Sequence, residues 1–339
     1  MSAGLSPTGI SWTHLPGLGP GHVLNPILGC QHAGGPGCDH CWAETDTAMR
    51  VLASPAMAKA NAGLTVLRPN GRERWTGAVN FLPERLAGPL RKRERVGIFM
   101  PSKSDPWYSG VLEHPGGVEF VRAMLALAIA TPHLFMVLTK RPKKAAEFFE
   151  DLELEAQRRG VSPGELCLTA LVFQLERAGE IKLAHRVALT PPRWPAPNLW
   201  VGSSTERQQE HDLRAPHLRA LRRHVGLTWL SIEPMLGLVE LDPDNGIGWV
   251  VVGGESGQGA RPMAIEWVEC ISAQTQALGV PMFFKQLGSV SAKAAGLRGA
   301  GEDIDAIRRE QGALGSLPGG DWSRREFPPI PEPRPWHRE

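Results

Sequence analysis

From Val96 onward the chain repeats one unit: a short apolar run, a polar cluster at its C-terminal end, then an amphipathic stretch. Val96–Met100 runs into Pro101–Asp105, Leu134–Leu138 into Thr139–Pro142, and Leu199–Gly202 into Ser203–Glu206. Leu227–Ile232 then runs into Glu233–Pro234, Trp249–Val252 into Gly253–Ser256, and Val280–Phe284 into Lys285–Gln286. Continuous apolar runs are strands buried on both faces, and helices between them make neighbouring strands parallel. The spacing predicts helices at about 117–130, from Lys143, up to Arg223 and over 264–278. Roughly six to eight such units make a complete or partial (β/α) barrel of parallel strands the most economical α/β architecture. An open doubly wound sheet is the alternative.

In a barrel every polar cluster lies at one end, the mouth where active sites are built. Gly9–Thr13 reads as a first strand, a helix is expected over 42–62, a second strand over Trp75–Phe81 and a short helix over Pro83–Leu90. The barrel then covers residues 1–287. A charged helical insertion at about 153–197 sits on its outside or rim, and a Gly/Pro-rich extension over 288–339 wraps it.

The first expected strand leads into Gly29-Cys30-Gln31-His32-Ala33-Gly34-Gly35-Pro36-Gly37-Cys38-Asp39-His40-Cys41-Trp42, which holds three of the chain's five cysteines. Glycine and proline between Cys30 and Cys38 let the backbone fold back, so that three sulfurs face one point. The helix expected after Cys41 places that thiolate at a helix N-terminus, where negative charge is favoured. Three readings fit the loop. The thiolates bind three irons of a four-iron cluster, leaving the fourth iron open; or they bind zinc, with His32 or His40 as fourth ligand; or they are unliganded thiols. Cys167 and Cys270 stand alone in apolar surroundings.

Composition narrows the setting. A net charge of +2 does not announce a nucleic-acid binder, and the basic segments Arg85–Arg95 and Arg219–Arg223 read first as solvated helix faces. The start of the chain lacks a charged region followed by an apolar run, so no signal peptide is expected. The apolar run Ala123–Ala130 is too short to span a bilayer, and an odd cysteine count argues against a disulfide framework. A cytoplasmic protein without membrane association is the expectation. The eleven tryptophans against a single tyrosine have no explanation in the sequence.

At the mouth, Asp105, Lys140, Arg141, Glu206, Glu233, Glu255 and Lys285 join the cysteines. Carboxylates suit an α-amino group or ribose hydroxyls, and Lys or Arg suits a carboxylate, so S-adenosylmethionine matches the set. Gly253 and Gly254 let the backbone approach a ligand closely before Arg261 and Pro262 open a helix. Glu233 has a structural alternative, as a carboxylate paired with Lys285 or Arg261.

The runs Asn25–Cys30 and Gly37–Glu44, with Ser102-Lys103-Ser104-Asp105, Leu138–Pro142, Ser231–Gly237, Val252–Gly257, Ala260–Met263 and Phe283–Gln286, resemble a phage and bacterial family of radical-SAM-like proteins. That family is marked by a three-cysteine motif and its function is unknown. The resemblance implies a radical-SAM-type barrel with a [4Fe-4S] cluster on Cys30, Cys38 and Cys41. It implies S-adenosylmethionine as cofactor, cleaved reductively to a 5′-deoxyadenosyl radical that abstracts hydrogen from a substrate. Ser102, Ser104, Asp105, Glu206, Gly253, Gly254, Glu255 and Arg261 then become candidates for holding the cofactor, and Glu233, Lys140 and Lys285 for acting on substrate. The seven residues between Cys30 and Cys38 depart from the C-x3-C spacing common in that superfamily, and Gly253-Gly254-Glu255 falls late in the chain where the superfamily's Gly-Gly-Glu motif is early.

The family's phage setting and its methyltransferase-like partner protein imply modification or repair of nucleic acid or a nucleobase. Two other classes compete: a non-catalytic zinc or iron–sulfur protein acting through a partner, and a metal-assisted hydrolase using the mouth carboxylates. Against the hydrolase, the chain holds no H-x-D or H-E-x-x-H motif.

Overall fold

A computed structural model describes residues 4–294 and 324–333. Its main sheet has eight strands: β1 (Leu5–Pro7), β2 (Gly19–Leu24), β3 (Val96–Phe99), β4 (Leu134–Thr139), β5 (Ala196–Thr205), β6 (Val225–Ile232), β7 (Val250–Gly253) and β8 (Met282–Gln286). Spatial order follows chain order, with β1 antiparallel to β2 and every later pairing parallel. A doubly wound sheet reverses its order at a switch point; this one does not. The sheet curls into an open half-barrel whose edges are β1 and β8.

Alternation along the strands separates two cores. Ile98, Phe135, Val137, Leu199, Val201, Leu230, Val250, Val252 and Phe284 belong to the large core shared with the helices. On the other face Phe99, Leu134, Met136, Trp200, Trp229, Trp249, Val251 and Phe283 pack with Trp12 and Leu15. The helices are α1 (Trp42–Ala53), α2 (Gly117–Ala130), α3 (Pro142–Arg159), α4 (Pro163–Arg177) and α5 (Ile265–Ala277), with shorter ones between. α4, from the expected insertion, packs on α2 and α3, and Cys167 is buried there.

The concave core holds four of the eleven tryptophans, Trp12, Trp200, Trp229 and Trp249. Trp12 lies 4.9 Å from Phe99, 5.2 Å from Trp229 and 6.3 Å from Trp249, ring centre to ring centre. This also corrects the expected first strand. Ser11–Thr13 is a 3-10 turn, and the chain pairs with β3 through Gly19–Leu24 instead. The turn lies against glycines: a Cβ at Gly21 would collide with Thr13, and one at Gly97 would sit 2.6 Å from the Thr13 carbonyl. Trp12 gains more by filling the concave core than a half-exposed strand residue would.

Two further expectations change for local reasons. The helix over 42–62 is two helices, because Pro55 has no N–H and Ser54 caps the second by accepting from Met57 N at 3.2 Å. Trp75–Phe81 is two short strands: Glu73–Trp75 pairs with Thr65–Leu67, and Asn80–Phe81 with Ile27–Leu28. Gly77, at φ +89°, turns the chain between them.

Part of the C-terminal extension, 295–323 and 334–339, lies outside the described residues. Where described, it returns to the concave core. Trp249 Nε1 donates to the Glu326 carbonyl at 2.9 Å, and Phe327 packs 5.2 Å from Phe283. Among the described residues no helix is long and apolar enough to cross a membrane.

Candidate cysteine-lined active site

The polar clusters meet where the parallel sequence requires, at the C-terminal ends of the strands. A cavity of about 990 Å³ opens there, and Cys30, Cys38 and Cys41 all line it. Cys38 ends the turn Pro36–Cys38, and Cys41 is the residue on which α1 starts. The helix terminus does not win for Cys41: burial, with Glu44 nearby, pushes its thiol up. Burial likewise pushes the Cys30 thiol up to about 12, with Asp105 adding to the rise and Arg141 opposing it. Thiols this desolvated become thiolates when a bound cation compensates the charge.

Three thiols lining one cavity match in kind the donors that a cluster or a thiolate metal site uses. Among the described residues no three His, Cys, Asp or Glu side chains close on a single ion. The two histidines proposed as a fourth zinc ligand are engaged with carboxylates, His40 Nδ1 with Glu255 at 3.3 Å and His32 Nε2 with Asp39 at 3.6 Å.

The loop is held through its backbone by four guanidiniums, each anchored on a buried carboxylate. Arg141 sits 3.0 Å from Asp105 and donates to the Gln31 carbonyl at 2.9 Å. Arg214 pairs with Glu206 at 3.0 Å and donates to Gly34 O at 3.1 Å. Arg261 meets Glu255 Oε1 at 2.6 Å and Pro36 O at 2.9 Å. Arg74 meets Glu44 at 2.8 Å and Asp39 O at 3.0 Å. A hydrogen bond to a charged donor contributes about 1.5–3 kcal/mol, and the planar fork lets one guanidinium serve two acceptors.

This arrangement locates the residues singled out from sequence. Asp105 is buried, and beyond Arg141 it accepts from Thr139 Oγ1 at 2.8 Å, Lys140 N at 3.1 Å and Trp107 N at 3.1 Å. Glu206 is fully buried between Arg214 and Lys140. For Glu255, burial alone would raise the carboxyl, but Arg261 outweighs it and holds it below the ordinary carboxylate range. Ser104 Oγ donates to Gly29 O at 2.6 Å, and Ser102 N donates to Asn25 Oδ1 at 2.8 Å. These polar groups, read as ligand contacts, shape the loop and its supports.

Gly253 and Gly254 differ from expectation as well. The close approach Gly254 permits is to the end of β8 and the chain after it, since a Cβ there would strike the Leu287 carbonyl and Gly254 N donates to Gln286 O at 2.9 Å, while a Cβ at Gly253 would come 3.2 Å from Glu233 Oε1. Arg261 opens no helix, since α5 begins at Ile265. Glu206, Gly253 and Arg261 stand behind the cavity wall, while the other residues named from sequence line it.

Glu233 and Lys285 form the pair that sequence allowed, Oε1 to Nζ at 2.7 Å, with Ser231 Oγ donating to Oε2 at 3.1 Å. Sequence reading missed Arg74 and Arg214, because each supports the loop from a distant segment with no local motif, and missed the role of Glu44, which lies in the motif itself but shows its part only once Arg74 is placed. It also passed over Lys103, a buried cavity residue paired with Asp46, although its Ser-Lys-Ser-Asp context was in view. Burial pulls the Lys103 ammonium down to about 8.

Several residues of the basic segments have acidic partners within the molecule. Arg91 pairs with Glu180, Lys92 with Glu94, Arg219 with Asp244 and Arg223 with Glu150 and Glu153.

Fold and site together define an α/β half-barrel with a clamped three-cysteine loop over a cavity at its mouth that charged and apolar side chains line together. The chain belongs to the DUF5131 family, described as a protein of unknown function, whose model matches residues 7–322. No curated protein and no solved structure matches it.

Proposed function

We propose that the protein is an iron–sulfur enzyme of the radical S-adenosylmethionine type, with Cys30, Cys38 and Cys41 holding a [4Fe-4S] cluster. The observation that carries this reading is the convergence of the three thiols on one cavity at the C-terminal mouth of a parallel half-barrel. When bound, the cluster and S-adenosylmethionine would supply one-electron cleavage of a sulfonium and hydrogen abstraction from a substrate. The chain's own work is positional. Arg74, Arg141, Arg214 and Arg261 fix the loop carbonyls, and Arg141, beside Cys30, offsets thiolate charge. Glu233 and Lys285 remain for a molecule in the cavity. The nucleic-acid target and the methyltransferase-like partner belong to the proposal through the family resemblance alone.

The test is anaerobic purification, reconstitution with iron and sulfide, and reduction by dithionite with S-adenosylmethionine present. The expected result is about four irons per chain and 5′-deoxyadenosine dependent on all three cysteines. Stoichiometric zinc on a colourless protein would instead support the non-catalytic metal protein.

A further inference from the structure

Glu233, paired with Lys285, differs from the carboxylates that support the cysteine loop. Glu44, Asp105, Glu206 and Glu255 each anchor a guanidinium that is used on the cysteine loop. Glu233 instead meets Lys285 and Ser231, and both members of the pair stay partly open, at 16% and 26% side-chain exposure. They project from the ends of two strands, β6 and β8, into the same cavity as Ser204 and Ser231. Trp12, Phe99 and Leu138 are among the apolar residues that line that cavity.

We propose that this wall binds a flat heteroaromatic ring with a hydrogen-bond donor beside an acceptor on one edge, the chemistry of a nucleobase, as the substrate. The proposal rests on the radical-enzyme reading of the cavity. Its argument is one of complementarity. A carboxylate accepts from a ring N–H or amino group while the adjacent ammonium donates to a ring nitrogen or carbonyl, so one planar edge satisfies both. Aromatic lining suits the ring's apolar body. A phosphate would meet the Glu233 charge, and an aliphatic ligand would desolvate the pair without replacing its hydrogen bonds. The ligand is taken to be of nucleoside size, because Arg91, Lys92 and Arg223 of the basic segments each have an acidic neighbour, which weakens them as a track for a phosphate backbone.

The test uses full-length Cys38→Ala protein without metal, so that binding is read apart from cluster chemistry. Equilibrium dialysis against labelled guanosine, cytidine, thymidine and adenosine would be run with S-adenosylhomocysteine as competitor, and in parallel with a short single-stranded oligonucleotide. The expected result is binding of at least one nucleoside, weakened about tenfold or more in both Glu233→Gln and Lys285→Met, not displaced by S-adenosylhomocysteine. Circular dichroism confirms that each variant is folded, and Ser231→Ala provides a second probe of the same wall. Four outcomes overturn the proposal: no nucleoside bound, affinity unchanged in the folded variants, displacement by S-adenosylhomocysteine, or an oligonucleotide preferred tenfold with steep salt dependence. Iron content of the unmodified protein, measured separately, reports whether the cluster reading fails instead.

Discussion

Arg261 ties Glu255 to the cysteine loop, with one nitrogen, Nη2, placed 2.6 Å from Glu255 Oε1 and 2.9 Å from the Pro36 carbonyl. Glu255 lies beyond the end of β7 and Pro36 two residues before Cys38, so a side chain far along the sequence sets where that sulfur stands. The same relation recurs for Arg141, Arg214 and Arg74, each from a different part of the chain.

Arg261→Gln removes the charge and the fork together. It is expected to cost about 1–3 kcal/mol in urea unfolding and to lower iron bound per chain at least about twofold, in the range a metal site's supporting partner usually controls. Arg261→Lys keeps the charge but not the two-acceptor geometry, and restores stability more than iron. Equal iron in all three proteins would reduce the clamp to a stabilising contact.

Cys38→Ala is expected to abolish iron incorporation. Loss of one thiol from a half-shell of three leaves too few ligands for a cluster. The side chain is small and stands at the cavity rather than in either strand core, so the melting temperature is expected to shift by only a few degrees. Unchanged iron by colorimetric assay would remove Cys38 from the ligand set.

The fold was legible from Val96 on because each strand is a continuous apolar run and every connection but that between β6 and β7 is helical, a pattern with few solutions. Gly19–Leu24 was not legible as a strand: its Gly-Pro-Gly start has low strand propensity, and its place is fixed by β3 and by the turn holding Trp12. At the site the cysteines were legible as a cluster because they are close in sequence. Glu206 and Asp105 were seen but their role was not, since a carboxylate awaiting a ligand and one anchoring an arginine look alike until Arg214 and Arg141 are placed. That the extension wraps the fold was expected, but nothing in the sequence marked Phe327 as the residue that enters the concave core.

Gly37→Ala tests how tightly the loop sits. A Cβ there would collide with the Glu206 carboxylate and come within 2.7 Å of Lys140 Nζ. Glu206 is fully buried and held by two cations, so it has nowhere to go. Overpacking of this kind costs about 1–3 kcal/mol, and the displaced loop is expected to load less iron. Gly9→Ala, where nothing lies within 4 Å of the added atom, is the control and is expected to be near neutral. Equal stability and iron loading in both variants would mean that the loop is free to move away from Glu206.

The lower pH limit of stability is expected to involve His133, which is fully buried at the N-terminal side of β4. Its Nε2–H donates to the Pro89 carbonyl at 3.0 Å and its Nδ1 accepts from Val96 N at 3.4 Å, so the neutral ring already uses both nitrogens. Burial pushes its pKa down to about 4, the Pro89 bond opposes this, and His22 and Lys92 add to the depression. The unfolded chain, titrating near 6.5, binds this proton first as pH falls, so between about 6.5 and 4 it carries more protons than the folded chain. Stability therefore rises with pH through that window and is lost on acidification, by at most about 3 kcal/mol from this group. His133→Gln, neutral throughout, should be less stable at pH 7 but flatter in urea midpoint between pH 4 and 6.5, with His22 retaining its own share of the slope. An undiminished slope in His133→Gln would place the acid sensitivity elsewhere.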